Sequence, residues 1–570
     1  MNKFKSIIMS CNGKSKTFLH WLYNTHSDDI DEEEKVFVYK ELTFWFTGTG
    51  FRNTEKLILY IGIPENIFDF DSQTTNSPIP VENYILHLLF PIMSELQKEY
   101  RNDKKDQREK ASFRIQTPDG CMDKKSGCQY SKQSKRFILQ MHFNVPLVNA
   151  TSVNSKATFR AIKDIMEHLE DSLSGIDMSE LMLWCKTYIN QESIRKFMNN
   201  NQLCAFVADG SILPRASDSD GPLPGALSFE SPENMRVSVT TDFGETITGI
   251  GIKEGITVIT GGGYSGKTTL LDAIESGIYN HIPGDGREYV LSDSSTLKTN
   301  AEDGRPVSNI DLSPFFKSLK SETGLEHFST KHASGSVSQA ANIIEAIGCG
   351  SKLLLIDEDK SATNFMIRDK LMRKIVPDEP IIPFTDRIEE LRKDCRVSTI
   401  LVIGGSSEYL AYADTVILMK EFRPLDITDS IGTWNLDKAS EVKKASWTSA
   451  RKIKPLKTSQ PFLFFRSVVT ENEKKIVLDD YSADITNLTA LTTPDRLNTV
   501  MRIMESLLTD KEADSDELLP KITFYMNRAI GSDEESSEFV IKESSQKFYS
   551  QIRPIDAWCC INRMLGVEYL

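Results

Sequence analysis

"GITVITGGGYSGKTTLLDAIESGIY", Gly255 to Tyr279, decides the fold of this chain. Its apolar, β-branched start predicts a buried strand, a glycine-rich turn follows, and "KTTLLDAIESGIY" returns apolar residues at helical spacing. The turn, Gly261 Gly262 Gly263 Tyr264 Ser265 Gly266 Lys267 Thr268, fits GxxxxGK[ST] in the strand-loop-helix setting that gives the pattern its meaning. Glycines let backbone N–H groups turn inward around a β-phosphate, Lys267 reaches β and γ oxygens, and the Thr268 hydroxyl is a candidate Mg²⁺ ligand. Thr269 belongs to the same helix start, whose partial positive charge favours an anion. A plain glycine turn is the alternative, and the flanking strand and helix argue against it.

A second segment, "SKLLLIDEDKSATNFM" (Ser351 to Met366), is an apolar strand ending in two carboxylates. Asp357 is expected to bind Mg²⁺ through water and Glu358 to be catalytic by polarising the attacking water, with Lys267 catalytic through its reach to the β and γ oxygens. The plain alternative is a strand that exits into solvent at acidic residues. A third, "KHASGSVSQAANIIEA" (Lys331 to Ala346), sets Ala333 Ser334 Gly335 Ser336 ahead of a helix. Ser334 is expected to cap that helix, with the N–H groups of Ser334, Gly335 and Ser336 open to a γ-phosphate.

Three motifs in this order resemble ABC-type ATPases, in which a Ser-Gly signature precedes the carboxylate strand. Ser334 stands 23 residues before Asp357, as that class has it, and Ser361 to Asn364 resembles the loop that crosses its dimer interface. "VADGSILPR", "GGGYSGKTTLLDAIESGIYNHIPGDGRE", "AEDGRPVSNIDLSPF", "ASGSVSQAANIIEA", "IDEDKSATNFMIRD" and "STILVIGGSSEYLAYADTVILM" are similar to a family of predicted ABC-class ATPases that are soluble and carry no transporter domain. The resemblance covers about residues 203 to 430. It implies ATP and Mg²⁺ as ligands, a homodimer that sandwiches ATP between one phosphate loop and the other head's Ser334 to Ser336, and a thin association with RNA in mitochondria.

Two departures stand out. The switch histidine of a standard ABC head would fall on Gly404, and all eight histidines lie at or before His332. No glutamine occurs between Lys267 and Gln339, so the usual Q-loop residue is missing as well. Glu302, Asp303 and Arg305 in "AEDGRP", and Ser406, are the candidates to stand in, and slow hydrolysis is expected. In "NHIPGDGRE", His281, Asp285, Arg287 and Glu288 read equally as a capped loop or a second nucleotide contact, and the role of Arg215 stays open.

The fold class expected is α/β: an ABC-type head at 201–435, an N-terminal α+β domain at 1–200 and a small C-terminal α+β domain at 436–570. Strands are predicted in 36–63 and 136–145, helices in 81–100 and 157–198. The length is too great for one core, and no apolar run approaches a membrane span. A formal net charge of −14 argues against a general field that attracts nucleic acid. The local exception is Lys443 to Arg466, with seven basic residues, no acid, Trp447 and three phenylalanines, the candidate RNA contact. A solvated linker leading to a core strand is the plain alternative there. Arg101 to Arg136 is basic too, but its interspersed acids read as an ordinary solvated loop.

Nine scattered cysteines without paired spacing point to a reducing compartment, taken as cytoplasmic. The lysine-rich, acid-free N-terminus keeps a mitochondrial address as the alternative. A non-catalytic, ATP-gated RNA-binding scaffold is the functional alternative to an ATP hydrolase. A DNA-tethering ABC ATPase is disfavoured, because no heptad tract exists.

Overall fold

A computed structural model describes residues 1–22, 36–49, 54–69, 77–102, 110–217, 221–319, 324–434, 436, 438, 443–447, 452–454, 467–470, 474–478, 481–509, 518–530 and 546–569. The chain forms two compact units, Met1–Lys186 with Met526–Gln551, and Thr187–Tyr525 with Ile552–Leu570.

The first unit is built on a six-stranded antiparallel sheet. Its spine is the pair Lys56–Pro64 and Arg136–Asn144, in register from Lys56 opposite Asn144 to Pro64 opposite Arg136. Both strands are almost continuously buried, Lys56–Pro64 through apolar residues and Arg136–Asn144 with Gln140 and His142 among them. Helix Ile79–Asn102 packs on this sheet and Ser155–Ser174 on that helix. Phe4, Phe37, Phe44 and Phe46 pack ring against ring beneath the opening strands.

The second unit carries the phosphate loop. Its main sheet has the order Leu297–Lys298, Leu353–Asp357, Ser398–Val402, Ile256–Gly261, Thr415–Lys420, Arg423–Asp426, parallel except for the last strand. Strand alternation divides its side chains between two cores. Leu353, Leu355, Ile400 and Val402 face helix Lys267–Ser276, which contributes Leu270, Leu271, Ala273 and Ile274. Leu354, Ile356 and Leu401 face helix Gly335–Gly348, through Val337, Ala340, Ala341, Ile343 and Ile344. Each fully buried Leu or Ile of this kind is worth about 1.5–3 kcal/mol, so both helices are fixed against the same strands.

A second, antiparallel sheet (Arg236–Thr240, Thr246–Lys253, Leu203–Ala208, Val290–Ser292) closes the core over helix Lys267–Ser276. Helix Pro554–Asn562, from the far end of the chain, packs against Gly335–Gly348, with Trp558 Nε1 donating to the Glu345 carbonyl at 3.1 Å. No described helix is long and apolar enough to cross a membrane. All nine cysteines are free thiols.

Candidate nucleotide site

Parallel register brings the sequence motifs to one edge of the sheet. Val402 is opposite both Ile259 and Asp357, so the phosphate loop, the carboxylate pair and the turn after Val402 all leave the sheet at its carboxyl edge. Open α/β sheets bind ligands at that edge.

The loop's backbone explains its glycines. At Gly261, φ is 145° and a Cβ would run into the Met419 carbonyl oxygen. Gly266 precedes the helix at φ 94°, where a Cβ would lie 3.3 Å from Phe422 Cδ1. Tyr264 breaks the pattern: it takes φ 58° and is fully exposed. For a residue with a Cβ the left-handed region costs roughly 1–2 kcal/mol. Lys267 Nζ folds back to donate to the carbonyls of Gly261 and Gly262, both at 2.8 Å. A phosphate would have to take over those bonds.

Thr268 Oγ1 donates to Asp357 Oδ2 at 3.4 Å, while Asp357 Oδ1 accepts from Asp359 N–H at 3.2 Å. A hydroxyl and a buried carboxylate side by side suit Mg²⁺, which takes one or two protein oxygens and leaves the remainder to phosphates and water. Glu358, next along, is held by three donors. Its Oε2 accepts from the N–H groups of Gly404 at 2.6 Å and Gly405 at 3.2 Å, and its Oε1 from Ser406 Oγ at 2.7 Å. A carboxylate offers about four lone-pair sites, so roughly one is left for a water.

Ser334 holds the N-cap position of helix Gly335–Gly348, but its hydroxyl accepts no bond from the helix, against the expectation of a side-chain cap. The local hydroxyl work falls to Ser338, whose Oγ donates to Gly335 O at 2.9 Å and accepts from Glu302 N–H at 2.8 Å. Among the described residues no hydrogen bond joins Ser334 to Ser336 with the phosphate loop. What does join this helix to the carboxylate turn is Gln339, which sequence reasoning missed. Its Oε1 accepts from Ala362 N–H and its Nε2 donates to Ser361 Oγ, both at 2.9 Å, and Ser361 Oγ donates on to Asp357 O at 2.7 Å.

Several stand-in candidates are used elsewhere. Glu302 pairs with Arg563 at 2.6 Å and accepts from Asn342 at 2.8 Å; Arg305 pairs with Glu345 and Asn342, all of it buried. Burial pushes the Glu302 carboxyl upward, but Arg563 and Arg305 more than offset it and hold the group at about 2. Neither side chain is available to a nucleotide; Asp303 remains exposed, with Oδ1 3.3 Å from where a Gly335 Cβ would lie. "NHIPGDGRE" is a structural knot. Asp285 bonds His281 at 2.9 Å and Arg215 at 2.7 Å, and Gln191 brackets the His281 backbone. Burial opposes the Asp285 charge, but His281 and Arg215 hold it at about 2.

Of the basic stretch Lys443 to Arg466, residues 448–451 and 455–466 lie outside the described residues. Trp447 packs edge-on to Phe315 with centroids 5.6 Å apart and donates to Glu390 at 3.2 Å, while Lys444 pairs with Asp394 at 3.0 Å. Trp447 is therefore a core anchor and no stacking platform.

Comparison with known proteins agrees with this geometry. The family model for the ABC_ATPase P-loop domain matches residues 177–455. An uncharacterized protein of Methanocaldococcus jannaschii is 30% identical over 304 residues, spanning 50% of this chain and 67% of its own length. The chain belongs to this family. The matched range of this ABC-class P-loop ATPase takes in the phosphate loop, the strand ending at Asp357 and the turn Gly404 to Ser406.

Proposed function

We propose that this ABC-class chain binds ATP with Mg²⁺ between two copies of its head and hydrolyses it slowly, so that nucleotide times the opening and closing of a clamp. The observation that carries this is the run Lys267, Thr268, Asp357, Glu358, Ser406 at one sheet edge. The backbone of Gly261 to Thr269 cradles the phosphates, and Lys267 leaves its own loop carbonyls for phosphate oxygens. Thr268 and Asp357 would hold Mg²⁺, which supplies charge neutralisation at the β and γ phosphates. Glu358 orients and deprotonates water through the lone-pair site that its three donors leave free. Ser334 to Ser336, with a hydroxyl not committed to its helix, supply a second head's contact to the γ-phosphate.

Slowness follows from the same arrangement, since glycine stands at 404, where the resemblance puts a histidine, and Glu358 is engaged by its own chain. Its test is Mg-ATP binding by titration calorimetry. Wild type should bind, and Lys267→Ala should lose about tenfold or more in affinity; equal binding by the two would remove the phosphate-loop assignment. RNA contact through Lys443 to Arg466 would fall to exposed Lys443 and Lys452 and to Arg451, Lys457 and Arg466, which lie outside the described residues, because Trp447 and Lys444 are engaged within the head.

A further inference from the structure

Helix Gly335–Gly348 buries an amide among alkyl groups. Val337, Ala340, Ala341, Ile343 and Ile344 turn apolar side chains to the sheet, whereas Gln339, fully buried, sends its carboxamide to the turn that carries the carboxylate pair. An apolar residue would fill that position without the cost of desolvating an amide. What the position requires is therefore the bonds the amide makes.

Those bonds allow one arrangement of protons. Ala362 N–H can only donate, so it fixes Oε1 on its side, at 2.9 Å, and turns Nε2 toward Ser361. Nε2 can only donate, so Ser361 Oγ accepts there at 2.9 Å, and the hydroxyl proton goes to the Asp357 carbonyl, which can only accept, at 2.7 Å. Nε2 also lies 3.5 Å from the Thr299 carbonyl oxygen. Thr299 N–H in turn donates to Leu355 O at 3.0 Å and Ala301 N–H to Lys360 O at 3.1 Å, so the same amide joins the turn to the segment beside it. Glu358 thus stands between two points tied to one side chain, the Asp357 carbonyl before it and the Ala362 N–H after it. A satisfied buried network of this kind specifies a single arrangement of the backbone it holds, while burial closes Gln339 itself to a nucleotide.

We infer that Gln339 is a positioning residue for hydrolysis: through Ser361 and Ala362 it holds the turn that presents Asp357 and Glu358, and so sets both carboxylates against Thr268 without touching the substrate. This rests on the hydrolysis reading above and adds to it the side chain that keeps Glu358 in place. Small displacements of a catalytic group cost up to about a hundredfold in rate, so a residue one turn removed from the chemistry can govern turnover and leave binding alone.

The test measures phosphate release and ATP affinity for full-length wild type, Gln339→Met, Ser361→Ala and the double variant, all with Mg-ATP. Gln339→Met should lower the turnover number by about tenfold or more while the ATP dissociation constant from calorimetry stays within about twofold. Ser361→Ala, on the half-buried turn, should lose a similar factor. The double variant should be no slower than the slower single, because both changes cut one chain of bonds. Turnover equal to wild type in either single variant overturns the proposal alone. So does a loss of ATP affinity that matches the loss of turnover, which would assign Gln339 to nucleotide binding, or losses that multiply in the double variant, which would make the two side chains independent. Should Gln339→Met fail to fold, Ser361→Ala decides by the same split between turnover and affinity. A wild type that releases no phosphate overturns the hydrolysis reading and this proposal with it.

Discussion

The Ser406 hydroxyl donates to Glu358 Oε1 at 2.7 Å, from the turn that follows strand Ser398–Val402. The bond restrains the carboxylate that the proposed chemistry needs. Ser406→Ala should therefore raise the rate of phosphate release by about tenfold or more, the equivalent of one hydrogen bond to a charged group. KM should change little and Ser406→Thr should resemble wild type. A slower Ser406→Ala would make the hydroxyl a participant in the chemistry.

Gly335 opens the helix proposed to meet the other head's γ-phosphate. A Cβ there would stand 3.3 Å from Asp303 Oδ1 and 3.6 Å from Ala362 Cβ, so alanine fits only tightly and valine does not. In a Glu358→Gln background, where the ATP-bound dimer accumulates, Gly335→Val should weaken dimerisation by about tenfold or more, read by light scattering. Undiminished dimerisation would take this helix out of the interface.

The pair Arg563 and Glu302 fastens the last helix to the head. Removing the guanidinium in Arg563→Met leaves a buried charge and should cost about 3–5 kcal/mol. Adding Glu302→Gln should recover a large part of it. Glu302 is held below its usual 4.5, so the stability it contributes is present above that value and lost as pH falls toward about 2. Urea unfolding of Glu302→Gln should accordingly show a shallower loss across that acid range than wild type.

Glu82 has the opposite sign. It is buried in the first unit, accepting from Tyr130 N–H at 2.8 Å, and burial pushes its carboxyl up to about 7 against the pull of that bond and of Lys124 and Lys125. Its favourable protonated state is complete below its usual 4.5, and stability is lost as pH rises through about 7. Glu82→Gln keeps the acceptor and should stabilise the first unit by about 2–3 kcal/mol at pH 8 and hardly at all at pH 4.5. Hydrogen exchange in Cys128–Ser131 at the two pH values measures it.

How much was legible depended on how local each constraint is. Gly261 and Gly266 answer to their own φ angles, and Asp357 and Glu358 to the end of one apolar strand, so short windows of sequence carry them. Counting from Asp414 located Gly404 to Ser406, but the three donors on Glu358 require two strands to be neighbours, which spacing does not state. Glu302 looks like a site residue in "AEDGRP" because its partner Arg563 lies some 260 residues away, and Arg305 because Asn342 and Glu345 lie 37 and 40 residues further on. Gln339 reads as one more residue on a buried helix face, and its link to Ser361 and Ala362 is purely tertiary. The grouping of 526–551 with the first unit has no local signal either. Tyr264 was visible in the motif, yet only its φ and full exposure mark it as strained and unpacked.

The most direct measurement is phosphate release from Mg-ATP by wild type and by Glu358→Gln, followed in parallel with the oligomeric state. The account predicts slow release by wild type, none above background by Glu358→Gln, and an ATP-bound dimer that accumulates only in the variant. Equal release by the two proteins, or none from wild type, would contradict it and leave an ATP-gated scaffold in its place.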